Sequence, residues 1–113
     1  MMSRAAGVEQ VTDATFAEEV LRSDLPVLVE FTADWCPSCR QLGPVLSAVA
    51  AEERGRLKVV QIDVDANPET TVAWGVLSIP AMLVFRGGEP VKSMTGLRPR
   101  QRLLAELAEV AAA

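Results

Sequence analysis

Val27-Leu28-Val29-Glu30-Phe31-Thr32 is an almost continuous apolar run. A strand with one wet face alternates apolar and polar residues; a run of this kind reads as a strand buried on both faces. Such a strand needs helices packed above and below it, which narrows the chain to an α/β arrangement. With 113 residues, half of them hydrophobic, there is material for one such core and no room for a second domain.

The elements around the run fit. Residues 1–7 read as a loose leader, with the domain occupying residues 8–113. Val8-Glu9-Gln10-Val11-Thr12 suits a short edge strand. Asp13 offers an N-cap to a helix whose buried face is Phe16, Val20 and Leu21, and Leu25-Pro26 ends it. Leu42, Val45, Leu46, Val49 and Ala50 recur at helical spacing from Cys36 to Arg54-Gly55-Arg56, with Pro44 expected to kink that helix. Leu57 to Val64 is the next strand. Asn67 is the expected N-cap, with Pro68 at the first helical position, of a short helix that Gly75 closes. Ala81–Phe85 and Val91–Met94 flank Arg86-Gly87-Gly88-Glu89-Pro90 as a hairpin. Pro99 starts a last helix with Leu103, Leu104, Leu107 and Val110 inward. The expected fold is a mixed β-sheet flanked by helices on both faces.

Both cysteines fall in Trp35-Cys36-Pro37-Ser38-Cys39. The pair follows the buried strand and opens a helix. Cys36 then meets unpaired N–H groups and the positive end of the helix dipole, which stabilise a thiolate. Thiolate is the attacking form in disulfide exchange. Cys39 lies one turn further in and more shielded, so Cys36 attacks and Cys39 resolves. Pro37 suits the first helical turn, Ser38 can donate a hydrogen bond to a sulfur, and Trp35 offers a flat apolar surface to a partner. Two rival uses of the pair are a metal site and a passive staple. Zinc takes four ligands, and two cysteines without histidine fall short. A loop this short constrains the unfolded chain little, so it is a poor staple.

Net charge is −4, which gives nucleic acid no electrostatic footing. No stretch approaches a membrane span and none suits a secretory signal, so the chain reads as cytoplasmic, where cysteine pairs are more often catalytic than structural.

Trp35-Cys36-Pro37-Ser38-Cys39-Arg40, after Val29-Glu30-Phe31 and before Pro44, resembles the active-site segment of the thioredoxin family. The resemblance continues through Ile62–Pro68, Trp74-Gly75-Val76, Ser78-Ile79-Pro80, Phe85–Gly88 and Gly96, and covers residues 8–110. It implies the thioredoxin fold and a cis peptide bond before Pro80, which would lie against the cysteines and expose the Ile79 backbone to an extended substrate segment. It implies substrate contact at Trp35, Pro37, Ser38, Ile79 and Gly96. Glu30 interrupts an apolar strand, and burial should raise its pKa. The family usually has Asp there, thought to take the proton of the resolving cysteine through water, so Glu30 is the expected proton relay.

The sequence also departs from the family pattern. Pro-Ser separates the cysteines where Gly-Pro is usual. Gln61 stands where a Lys commonly faces the acid, Ala81 follows Pro80 where Thr is usual, and Thr32 replaces an aromatic. Trp74 reads as packing. Arg98, Arg100 and Arg102 read as solvated surface, with a docking patch as the minority alternative.

The expected function is thiol–disulfide exchange that reduces protein disulfides, with thioredoxin reductase as electron donor, no cofactor or metal, and a monomeric state. The alternatives are a glutathione-linked or more oxidising exchanger, suggested by Pro37 and Ser38, and a thioredoxin-fold interaction module without enzymatic turnover.

Overall fold

The structure, a computed structural model, describes residues 4–112. Strands β1 (Glu9–Val11), β2 (Val27–Thr32), β3 (Lys58–Asp63), β4 (Ala81–Arg86) and β5 (Glu89–Thr95) form one sheet. Their spatial order is β1-β3-β2-β4-β5. The apolar run is the central strand, and all six of its residues are buried. It runs parallel to β3, with Val27 opposite Lys58 and Thr32 opposite Asp63, and antiparallel to β4, with Glu30 opposite Met82.

Successive side chains of a strand leave on opposite faces, so β2 feeds two cores. On one face Leu28 joins Val59, Met82 and Val84 under helices α1 (Pro37–Glu52) and α3 (Arg100–Ala112), which contribute Leu42, Leu46, Val49, Leu103 and Leu107. On the other, Val27, Val29 and Phe31 join Val60, Ile62 and Phe85 beneath Phe16, Val20 and Trp74. Helix α2 (Pro68–Ala73) lies on that second side, leading into Trp74. Trp74 is packing, edge-on to Phe85 with ring centroids 4.9 Å apart. Full burial of a side chain such as Leu42 or Phe31 stabilises the fold by roughly 2–3 kcal/mol. By the same alternation Glu30 and Gln61 face the α1/α3 side, two residues along from Leu28 and Val59.

Six local expectations are corrected. The helix after Asp13 is a single wide turn, Ala17–Leu21, in which the Arg22 N–H reaches back five residues to the Ala17 carbonyl. Asp13 does not cap it. Its carboxylate instead accepts from the N–H groups of Glu69 and Thr70 and from the Thr70 hydroxyl, so it caps α2. Asn67, expected to cap α2, makes no capping bond there and accepts the Asp13 N–H instead. These bonds from Thr70, its hydroxyl first, hold the Asp13 carboxyl below the usual range despite some desolvation.

The hairpin is tighter than expected. Gly87 and Gly88 alone make the turn, at φ +59° and +81°, and a register shift at Val84/Phe85 lets Pro90 pair within β5, an edge strand. Arg98 is not solvated surface. Its side chain is buried, its Nη1 lies 2.6 and 2.7 Å from the Glu106 carboxylate oxygens, and it also donates to the carbonyls of Thr95 and Gly96. Arg100 and Arg102 sit at the surface, paired with Glu52 and Glu106. Of the expected leader, residues 1–3 lie outside the described residues. Ala5 in the same stretch is buried and donates its N–H to Gln61 Oε1 at 2.8 Å, so the leader is not loose throughout.

Candidate active site

Pro37 occupies the first turn of α1, where its missing N–H leaves nothing unsatisfied, and this places Cys36 at the N-cap in an extended conformation. The Cys36 N–H donates to the Ala33 carbonyl. Its sulfur accepts from the Cys39 N–H at 3.2 Å and from the Ser38 hydroxyl at 3.5 Å. Cys36 and Cys39 are joined as a disulfide with Cα atoms 5.2 Å apart. Cys36 keeps 4% of its surface and Cys39 none, so Cys36 is the sulfur at the rim. Helix α1 continues through Pro44, whose lack of an N–H leaves the Arg40 carbonyl without its helical partner at that position.

Ala33, Val64 and Ile79 pack around the sulfurs. The Ile79–Pro80 peptide bond is cis. The Pro80 carbonyl accepts from the Gly96 N–H at 2.8 Å, and Gly96 has φ +92°, a conformation suited to glycine. Trp35 is 64% exposed and donates from its indole N–H to Asp65 at 2.7 Å. Beside it opens a shallow groove of about 320 Å³ lined by Trp35, Val64, Thr71, Val76, Leu77 and Ile79, among others. Leu77 on its rim is 98% exposed. A larger cavity of about 480 Å³ lies at the other end of α1, lined by Glu52, Leu57, Val84 and Leu107 among others, and includes neither cysteine. It has no part in the chemistry of the sulfurs.

Glu30 is wholly buried. One carboxylate oxygen accepts from Gln61 Nε2 at 2.7 Å; the other has no hydrogen-bond partner among the described residues. Burial pushes its pKa up to about 8, against the opposing pull of the Gln61 hydrogen bond. A group with that pKa exchanges protons near neutral pH, the property a proton acceptor needs. Trp35, Cys36, Pro37, Ser38, Cys39, Ile79, Pro80 and Gly96 thus lie together at one end of the sheet, with Glu30 beneath on the α1 side. No group of three or more His, Cys, Asp or Glu is placed to hold a metal ion, and no helix is long and apolar enough to cross a membrane, among the described residues.

Sequence reasoning missed the donors behind Gln61. Its Oε1 accepts from Ala5 N–H and from Gln10 Nε2. The one sequence signal was Gln10 itself, a long amide on an edge strand that pairs in register with Gln61.

Residues 7–109 match the thioredoxin family model. Thioredoxin 1 of Nostoc is 45% identical over 102 residues, covering 90% of this chain and 92% of that protein. The thioredoxin of Mycobacterium tuberculosis is 44% identical over 108 residues, 96% of this chain and 93% of that protein. A bifunctional thioredoxin reductase/thioredoxin of Mycobacterium leprae is 46% identical over 109 residues; the match covers 96% of this chain and spans 24% of that longer protein. A redox disulfide at a helix N-terminus beside a cis-proline, on a mixed five-stranded sheet, defines a thiol–disulfide oxidoreductase. The chain belongs to the thioredoxin family.

Proposed function

We propose that the chain reduces protein disulfides, with Cys36 as nucleophile and Cys39 as resolving thiol. The observation that carries this reading is the asymmetry of the pair. The Cys36 sulfur is at the rim and accepts the Cys39 N–H at the helix N-terminus, whereas Cys39 is sealed beneath it. In the reduced protein that N–H and the helix dipole favour a thiolate at Cys36.

The Cys36 thiolate attacks one sulfur of a substrate disulfide. A mixed disulfide forms, and the first substrate thiolate leaves. Cys39 then gives its proton to the Glu30 carboxylate, directly or through water, and attacks the Cys36 sulfur. The Cys36–Cys39 disulfide forms, and the second substrate thiolate leaves. Two electrons have passed to the substrate. Glu30 suits its part because its pKa, near 8, is close to that of a thiol. Pro80 borders the site and leaves the Ile79 backbone to pair with an extended substrate segment. Trp35, Pro37, Ser38, Ile79 and Gly96 form the contact surface.

The oxidised pair is returned to dithiol by a thioredoxin reductase; the mycobacterial relative that carries both names in one chain supports this donor. The protein acts as a cytoplasmic monomer, and residues 8–113 form the working domain. The test is a trap. Cys39→Ser with a protein disulfide should accumulate a mixed disulfide at Cys36, read by mass spectrometry. Adduct formation by a Cys36→Ser protein through Cys39 instead would reverse the assignment.

A further inference from the structure

Glu30 accepts its hydrogen bond from Gln61, and what holds that donor lies outside the redox loop. Gln61 Nε2 donates to Glu30 Oε1 at 2.7 Å. On its other side Gln61 Oε1 accepts from the Ala5 N–H at 2.8 Å and from Gln10 Nε2 at 2.7 Å. A backbone N–H can only donate. The amide oxygen must therefore face Ala5, and the amide NH2 must face Glu30. Turned over, the amide would set its oxygen against Glu30. That arrangement suits a protonated carboxyl, which can donate to it, and repels a carboxylate. It would also bring NH2 against two donors. We infer that Ala5 and Gln10 are positioning residues that lock the Gln61 amide in the orientation that donates to Glu30.

The lock belongs to the N-terminal segment and to β1, a three-residue edge strand paired to β3. It touches neither sulfur. The groups facing Glu30 make the amide decisive. β4 sets Met82 opposite it, and α1 and α3 cover that face with Leu42, Leu46 and Leu103, with Cys39 on the first turn of α1. Charged side chains of the packed elements pair elsewhere: Arg40 with the Asp34 carbonyl, Arg98 with Glu106, Lys58 with Glu19. The acidity of Glu30 is then a balance between burial and the one bond from Gln61. Releasing the amide weakens Glu30 as an acid and moves the pH range in which it can accept a proton from Cys39. That consequence rests on the relay role proposed above; the lock itself does not.

The experiment is a carbon-13 carboxyl titration of Glu30 in the oxidised protein, where neither cysteine titrates. Gln10→Leu removes the side-chain donor and Ala5→Pro the backbone donor named above. Together they should raise the Glu30 pKa by about one unit, a tenfold weaker acid, as expected for losing a hydrogen bond to a charged group. Gln10→Leu alone, on an edge strand, should give part of that shift. Gln10→Lys keeps a donor and should stay at or below the wild-type value. In a Gln61→Leu background the Gln10→Leu shift should vanish, because its carrier is gone. Superimposable titrations for wild type and Gln10→Leu would overturn the lock, as would a shift that survives Gln61→Leu. The relay is tested apart from this: exchange rates of Glu30→Gln that match wild type at every pH would remove the relay and leave the titration result standing.

Discussion

Replacing Glu30 by Gln should stabilise the protein, and by an amount that grows with pH. Glu30 is buried with one carboxylate oxygen unpartnered among the described residues, and its pKa moves from 4.5 to about 8 on folding. The folded state therefore holds a proton that the unfolded chain has released between those two values. By linkage, stability is fully present below pH 4.5, falls as pH rises, and levels off above 8. At about 1.4 kcal/mol per pKa unit, the penalty is about 1 kcal/mol at pH 5, about 3 at pH 7 and about 4 at pH 8. The Glu30→Gln protein would carry no such term. Its new side chain keeps an oxygen for Gln61 Nε2, and its amide NH2 in the place of Oε2 adds an offset that does not depend on pH. The difference between the two proteins should thus widen by about 3 kcal/mol from pH 5 to pH 8. Urea unfolding of the oxidised proteins reads this directly. With a slope near 1.5 kcal/mol/M, the midpoint gap should grow by about 2 M. The chain has no histidine, and both cysteines are in the disulfide, so few other groups titrate in that window. A midpoint gap that stays constant from pH 5 to pH 8 would refute the reasoning, since Glu30 would then ionise equally in both states.

Removing Arg98 should cost about 2 kcal/mol in chemical denaturation, because Glu106 and two backbone carbonyls lose a buried charged donor. Arg102→Ala, at an exposed pair, should cost less than about 0.5 kcal/mol. Asp13→Ala should lower Tm at neutral pH by uncapping α2. Because the Asp13 carboxyl is held below its ordinary range, that deficit should shrink as pH falls through its folded-state pKa. Gly88→Ala should destabilise by about 1–2 kcal/mol, since its φ is +81° and a Cβ would stand 3.0 Å from the Leu21 carbonyl oxygen. Gly87→Ala should cost less, having open space around it.

The parts that were legible in the sequence are those decided locally. A short, nearly continuous apolar run rich in Val and Phe reads as a doubly covered strand, and β2 is one. Proline after Cys36 marks a first helical turn, so the sulfur at the N-cap follows from two adjacent residues. Asp13 misled because an N-cap residue looks the same whichever helix it serves; its partner Thr70 lies 57 residues away. Arg98 misled because charge reads as surface until its carboxylate partner is known, and Glu106 comes into place only when α3 folds back beside the end of β5. The hairpin turn shortened because a register shift at Val84/Phe85 admits Pro90 to an edge strand. Around Glu30, burial was legible from Val29 and Phe31. The orientation of Gln61 was not, since it is fixed by a backbone N–H at Ala5, which no side-chain pattern records.

The central claim is that Cys36 carries a catalytic exchange rather than a passive bridge. Insulin reduction under a dithiol donor, comparing wild type with Cys36→Ser at equal concentration, tests it most directly. Turnover in wild type with the Cys36→Ser rate at the uncatalysed background is the predicted result; equal rates in the two proteins would contradict it.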